Sequence, residues 1–189
     1  MLAWLVNEPD KEIVDFINDG TLYNTIYGYF LANSINSGNI AQLKDENITF
    51  DSLCMKYYGS FNDRGVSLVE SVYKPWSTEP GSGNSSKGFL MGDSALHMSF
   101  LYESFGIEIP EAYACMPDHL ALELDFLSFL YDNYPSTHAQ LFMSEHLNWI
   151  PSLIDEAVKN KMDEFYLSVL RITDDFICFE KNAANEVFA

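Results

Sequence analysis

Apolar residues return every three or four positions along almost the whole of this chain, and nowhere do they settle into the alternation that builds a sheet. The clearest case is near the C-terminus, where Met162, Phe165, Tyr166, Val169, Ile172 or Thr173, Phe176 and Ile177 draw one apolar stripe down a helix expected from Met162 to about Phe179. Ile13, Phe16 and Ile17 repeat the pattern before the Asp19-Gly20 break, and Leu22, Ile26, Tyr29 and Phe30 repeat it after. There is no internal repeat. The periodicity therefore predicts an all-α fold, a single-domain multi-helix bundle spanning residues 1–189, and with 48% hydrophobic residues a chain of this length buries a core without metals or disulfides.

Prolines and glycines mark the element ends. "DRGVSLVESVY" carries helical spacing, whereas "KPWSTEPGSGNSSKG" forbids regular structure and predicts one long flexible loop at about 74–88. A helix is expected over Gly88 to Phe105, ending near Gly106, followed by the irregular link "IEIPEAYACMP". Three more are expected over Pro117 to Tyr131, Pro135 to Trp149, and Pro151 to about Asn160, each led by a proline that the first helical turn tolerates.

Charge narrows the partners. Ten Lys and Arg against 28 Asp and Glu leave a net charge of -18, which repels nucleic acid and anionic lipid. Between Gly88 and Val158 there is no Lys or Arg, only acids, so this span projects a negative field suited to a basic ligand. The N-terminal "MLAWLVNEPDKE" does not read as a secretory signal, and no run has the length of a membrane helix. Cys54, Cys115 and Cys178 are odd in number and far apart, as expected for small buried hydrophobes in a reducing cytoplasm.

Enzymatic signatures are missing. In "GSGNSSKG" Lys87 follows Ser86 and precedes Gly88, which is not the Gly-Lys-Ser/Thr order of a phosphate loop. There is no Gly-x-Ser-x-Gly elbow. Among the histidines His97, His119, His138 and His146, His119 has an acid, Glu123, one turn away on the same helical face, and two ligands do not make a metal site. In "MPDHLALELDFL", Pro117 pre-sets a first turn, Asp118 complements the positive helix end, and the dipole biases His119 toward its neutral form. Leu120, Leu124, Leu127 and Tyr131 are expected to be buried, with His119, Glu123 and Phe126 on a neighbouring face.

That segment, with "FMSEHLNWIPSLIDEA" and "FYLSVLRITDDF" downstream and "ESVYKPW" and "GFLMGDSALHMSFLYESFGIEIP" upstream, resembles the TorD/DmsD/NarJ family of cytoplasmic chaperones for molybdenum-containing oxidoreductases. The resemblance covers roughly residues 60 to 180. It implies a non-enzymatic helical domain, with no residue assigned to a cofactor, binding the twin-arginine signal peptide or N-terminal segment of a molybdopterin-containing reductase subunit until that subunit is loaded. Carried over by motif, Pro117, Asp118 and His119 line the peptide-binding region, with Glu123 one turn on and Tyr73 and Trp76 beside the long loop as further candidates. Asp118 is the expected hydrogen-bonding partner of the arginines. Met116 stands where many members carry an acid, so a flexible apolar contact is expected there. The long loop suits a hinge for helix exchange, compatible with a monomer or a homodimer. The alternatives are a general acidic interaction module and a metal-dependent hydrolase.

Overall fold

A computed structural model describes residues 1–36, 38–44, 47–61, 65–75 and 90–187. The expected loop beyond Pro75 lies outside the described residues, and so does Trp76. The chain is all-α, as the periodicity predicts. Its helices are α1 (Leu2–Leu5), α2 (Lys11–Asn18), α3 (Thr21–Ala32), α4 (Phe50–Phe61), α5 (Glu70–Tyr73), α6 (Asp93–Phe105), α7 (Leu120–Asn133), α8 (Ser136–His146), α9 (Ile150–Lys159) and α10 (Glu164–Val187), with 3-10 turns at Gly38–Leu43 and Glu111–Tyr113.

Local chemistry sets several boundaries. Asp10 starts α2 by accepting the Ile13 amide at 2.8 Å, satisfying one of the donors that every helix start leaves open. Gly106, at φ +67°, ends α6 in the left-handed conformation that a side chain resists, and the Ile107 amide then reaches back to the Tyr102 carbonyl at 2.8 Å. Helix α10 packs on α4, α8, α9 and the first 3-10 turn, while α7 packs on α1 and α8. Buried side chains from Ala3 to Ile177 join into one hydrophobic cluster with Trp149, Tyr166 and Leu120 at its interior. Among the described residues no helix is long and apolar enough to cross a membrane.

Three expectations need correction. "DRGVSLVESVY" is not a helix throughout: within its described part, residues 65–68 are non-helical, Val69 forms an antiparallel bridge with His119, and only Glu70–Tyr73 turn helically. The Leu120 amide donates to the Leu68 carbonyl at 2.8 Å, so pairing across the fold overrides local propensity. Helix α6 begins at Asp93 rather than Gly88, since Met91 (φ +60°) and extended Gly92 interrupt it. Helix α7 begins at Leu120, with Pro117 in a turn closed by the His119 amide to the Met116 carbonyl at 3.1 Å. The cysteines also depart from expectation, Cys54 being half-buried and Cys115 and Cys178 exposed.

Candidate peptide-binding site

The turn that carries Met116 to His119 is fastened to the segment before α5. The Glu70 amide donates to the Asp118 carbonyl at 3.0 Å, and the Ser71 amide donates to Asp118 Oδ2 at 2.7 Å. Ser71 Oγ donates to the same oxygen and accepts the Gly92 amide at 3.2 Å. Val69 gives α5 no side-chain cap, so Asp118 caps it from 47 residues away in sequence. Asp118 is wholly buried with its Oδ1 unpartnered, and burial raises its carboxyl above the usual range against the lowering effect of Ser71. It therefore does not face solvent, where the sequence reading put an arginine.

His119 is the N-cap of α7. Its Nδ1 accepts the Ala121 amide at 3.2 Å, and its ring lies 5.0 Å from that of Tyr113. The ring is neutral as expected, but the cause is burial, which brings its pKa down to about 4.

Glu123 lies one turn further in and is fully buried, as is Phe126, so the face they share is core. Tyr131, expected in the core, is exposed. The Glu123 carboxyl accepts the Trp149 indole N–H at 3.2 Å. Burial, the adjacent Glu70 charge and a hydrogen bond to Glu70 hold it protonated, well above the carboxylate range. Glu70 is buried too, yet its carboxyl is lowered: against the desolvation that raises it stand His146, whose Nδ1 is 2.8 Å away, the Glu123 proton and the Lys74 ammonium. His146 Nε2 in turn lies 2.8 Å from His97 Nδ1. Tyr73 stacks on Trp149 with ring centroids 5.1 Å apart and donates its hydroxyl to the Ser67 carbonyl at 2.9 Å.

The residues singled out in the sequence thus separate into two layers. Met116 and His119 reach a groove of about 520 Å3, walled by Tyr57, Phe61, the non-helical 65–69 segment and Tyr113, with exposed Glu8 at its rim. Pro117, Asp118, Glu123 and Tyr73 lie behind that wall and fix its shape. The sequence reading missed Glu8, Tyr57 and Tyr113 at the groove, and Glu70, Ser71, His146 and Trp149 behind it. A signal was present for the second group: these four belong to "ESVY" and "SEHLNW", the pieces whose order already matched the motif.

The profile of a family described as "Nitrate reductase delta subunit" matches residues 33–155. The chaperone protein TorD of Vibrio cholerae serotype O1 is 30% identical over 114 residues, 54% of this chain and 52% of that protein. The chain thus spans about half the length of the curated relative it matches. No solved structure matches.

Proposed function

The chain belongs to the nitrate reductase delta subunit family of TorD- and NarJ-like proteins, and from that premise we propose that it is a cytoplasmic maturation chaperone for a molybdopterin-containing reductase. It binds the twin-arginine signal peptide, or an N-terminal segment, of the catalytic subunit and holds it while the cofactor is loaded. The domain acts as a single unit and performs no chemistry of its own.

The observation that carries this reading is the groove beside the Met116–His119 turn. A twin-arginine leader is a basic pair followed by an apolar stretch. The groove offers Tyr57, Phe61 and Leu68 to the apolar part and Glu8 to the basic part, on a chain of net charge -18. Asp118 supports the reading from beneath, by fixing the wall rather than by touching the peptide.

The test is calorimetric titration of the full chain with leaders or N-terminal segments of dimethyl sulfoxide, trimethylamine oxide and nitrate reductases, each beside a Lys-Lys counterpart. Binding of one leader that survives near-physiological salt and falls at least about tenfold in its Lys-Lys form supports bidentate guanidinium recognition. Equal, salt-sensitive binding of both forms turns the protein into a general acidic interaction module. No binding of any segment overturns the proposal.

A further inference from the structure

On the far side of Glu70 from its own helix start, three side chains converge that the peptide groove does not use. His97 comes from α6, and Glu145 and His146 from α8. One nitrogen of each imidazole and one oxygen of the Glu145 carboxylate lie within 4.8 Å of one another. His146 is buried, whereas His97 and Glu145 are exposed and open onto a hollow of about 180 Å3 that His138 also borders. Solvent and ions therefore reach the cluster from one side.

The tautomer of His146 is set from behind. Its Nδ1 lies 2.8 Å from Glu70 Oε2, a buried acceptor whose charge Lys74 partly offsets, so Nδ1 carries the proton and the Nε2 lone pair points at His97. A carboxylate behind a ligating imidazole, fixing its orientation and raising its basicity, is the arrangement that accompanies histidine ligands in metalloproteins. The 2.8 Å between His146 Nε2 and His97 Nδ1 is a hydrogen-bond separation. Two imidazoles on one tetrahedral ion at 2.0–2.1 Å stand roughly 3.3 Å apart, a change the exposed His97 ring accommodates by a small rotation. Two imidazoles with one carboxylate suit zinc-class ions and disfavour magnesium and calcium, which take oxygen shells.

We propose that His97, His146 and Glu145 form a binding site for one divalent transition-metal ion of the zinc class, with solvent in the fourth position. The site links α6 to α8 and leaves the Met116–His119 groove free.

The test uses the full, untagged chain stripped with a chelator. Cobalt(II) is added as a spectroscopic probe, and zinc is then used to displace it. The expected result is one cobalt per chain with the visible absorption of tetrahedral nitrogen–oxygen coordination, and zinc binding tighter than about 10 μM. His97→Ala and Glu145→Gln change exposed side chains, so they keep the fold; each weakens zinc at least about tenfold, while His119→Asn does not. Zinc raises the melting temperature of the wild type and has little effect on that of His97→Ala. Cobalt spectra without tetrahedral bands, or zinc affinity untouched by both His97→Ala and Glu145→Gln, overturns the proposal and leaves the two imidazoles as a hydrogen-bonded pair.

Discussion

Asp118 and Ser71 lie 47 positions apart and hold each other through a single oxygen, Asp118 Oδ2, which accepts both the Ser71 amide at 2.7 Å and the Ser71 hydroxyl. Helix α5 has only four residues and no cap of its own, so its first turn exists because the turn before α7 supplies one. The same contact holds the backbone bridge between Val69 and His119, and with it one wall of the groove. The contact gives this buried aspartate a structural task, the capping of α5.

A substitution pair separates those two roles. Asp118→Ala leaves the Ser71 amide and hydroxyl buried without an acceptor, at a cost of about 1–3 kcal/mol, which lowers the melting temperature by roughly 2–10 °C for a chain of this size. Asp118→Asn keeps an acceptor oxygen and sheds a charge that burial already disfavours, so its melting temperature stays near that of the wild type. Equal losses in both variants, read by circular dichroism, would show that the charge matters and the cap does not.

Glu123 gives the fold an alkaline weakness. Its folded pKa is raised, so the native state holds a proton that the unfolded chain has released, and the stability it contributes is complete below about pH 4.5 and lost as pH rises through the folded value. The slope is at most about 1.4 kcal/mol per pH unit over that window. Glu123→Gln imitates the protonated acid, offering an N–H toward Glu70 and an oxygen to the Trp149 indole. Denaturant titrations from pH 5 to 8 are expected to show this variant flatter with pH and at least as stable as the wild type at pH 8. An unchanged slope would mean that Glu123 is ionised in the native protein.

Helical class, the break between α2 and α3, the C-terminal end of α6, and the family were legible because each rests on local signals: a 3.6-residue period, Gly20 and Gly106, and contiguous motif pieces. The start of α7 was not, because Pro117 suits a first helical turn, yet pairing of Leu120 with Leu68 across the fold moves the cap to His119. The burial of Asp118 and Glu123 was not legible for a related reason. An acid in an acidic stretch reads as surface, and only the partners that converge on it from α5 and the Trp149 region reveal that it is interior. Glu123 did carry a warning, since it stands between Leu122 and Leu124 on a helix whose neighbouring positions are core.

His119 opposes Glu123 on the acid side. Its pKa falls to about 4 by burial, so the stability it contributes is complete above the unfolded value near 6.5 and is lost as pH drops toward 4. The shift corresponds to about 3 kcal/mol across that interval. His119→Asn keeps an N-cap acceptor for the Ala121 amide without a titrating group. It is expected to lose less stability than the wild type between pH 6.5 and 4.5. Parallel curves would show that the ring titrates at its ordinary value and is not sequestered.

Met116 offers the sharpest test of the groove, because it stands where the family resemblance leads one to expect an acid. It is half-buried on the groove wall, which it shares with His119 and the non-helical 65–69 segment. If the groove receives the arginine pair of a leader, then Met116→Glu adds a second carboxylate to the one at Glu8, and the Arg-Arg leader binds a few-fold tighter, in line with about 0.2–1 kcal/mol for a partly exposed ion pair. The added affinity is electrostatic and fades as salt rises. Glu8→Gln shifts affinity by a similar amount in the other direction, and both changes leave the melting temperature within about 2 °C because neither alters the buried contacts behind the wall. Met116→Gln separates charge from loss of apolar contact: affinity at or below the wild-type value is expected. Should Met116→Glu weaken the leader while Met116→Gln does so equally, the wall receives the apolar stretch there, and the arginines sit elsewhere along the acidic surface.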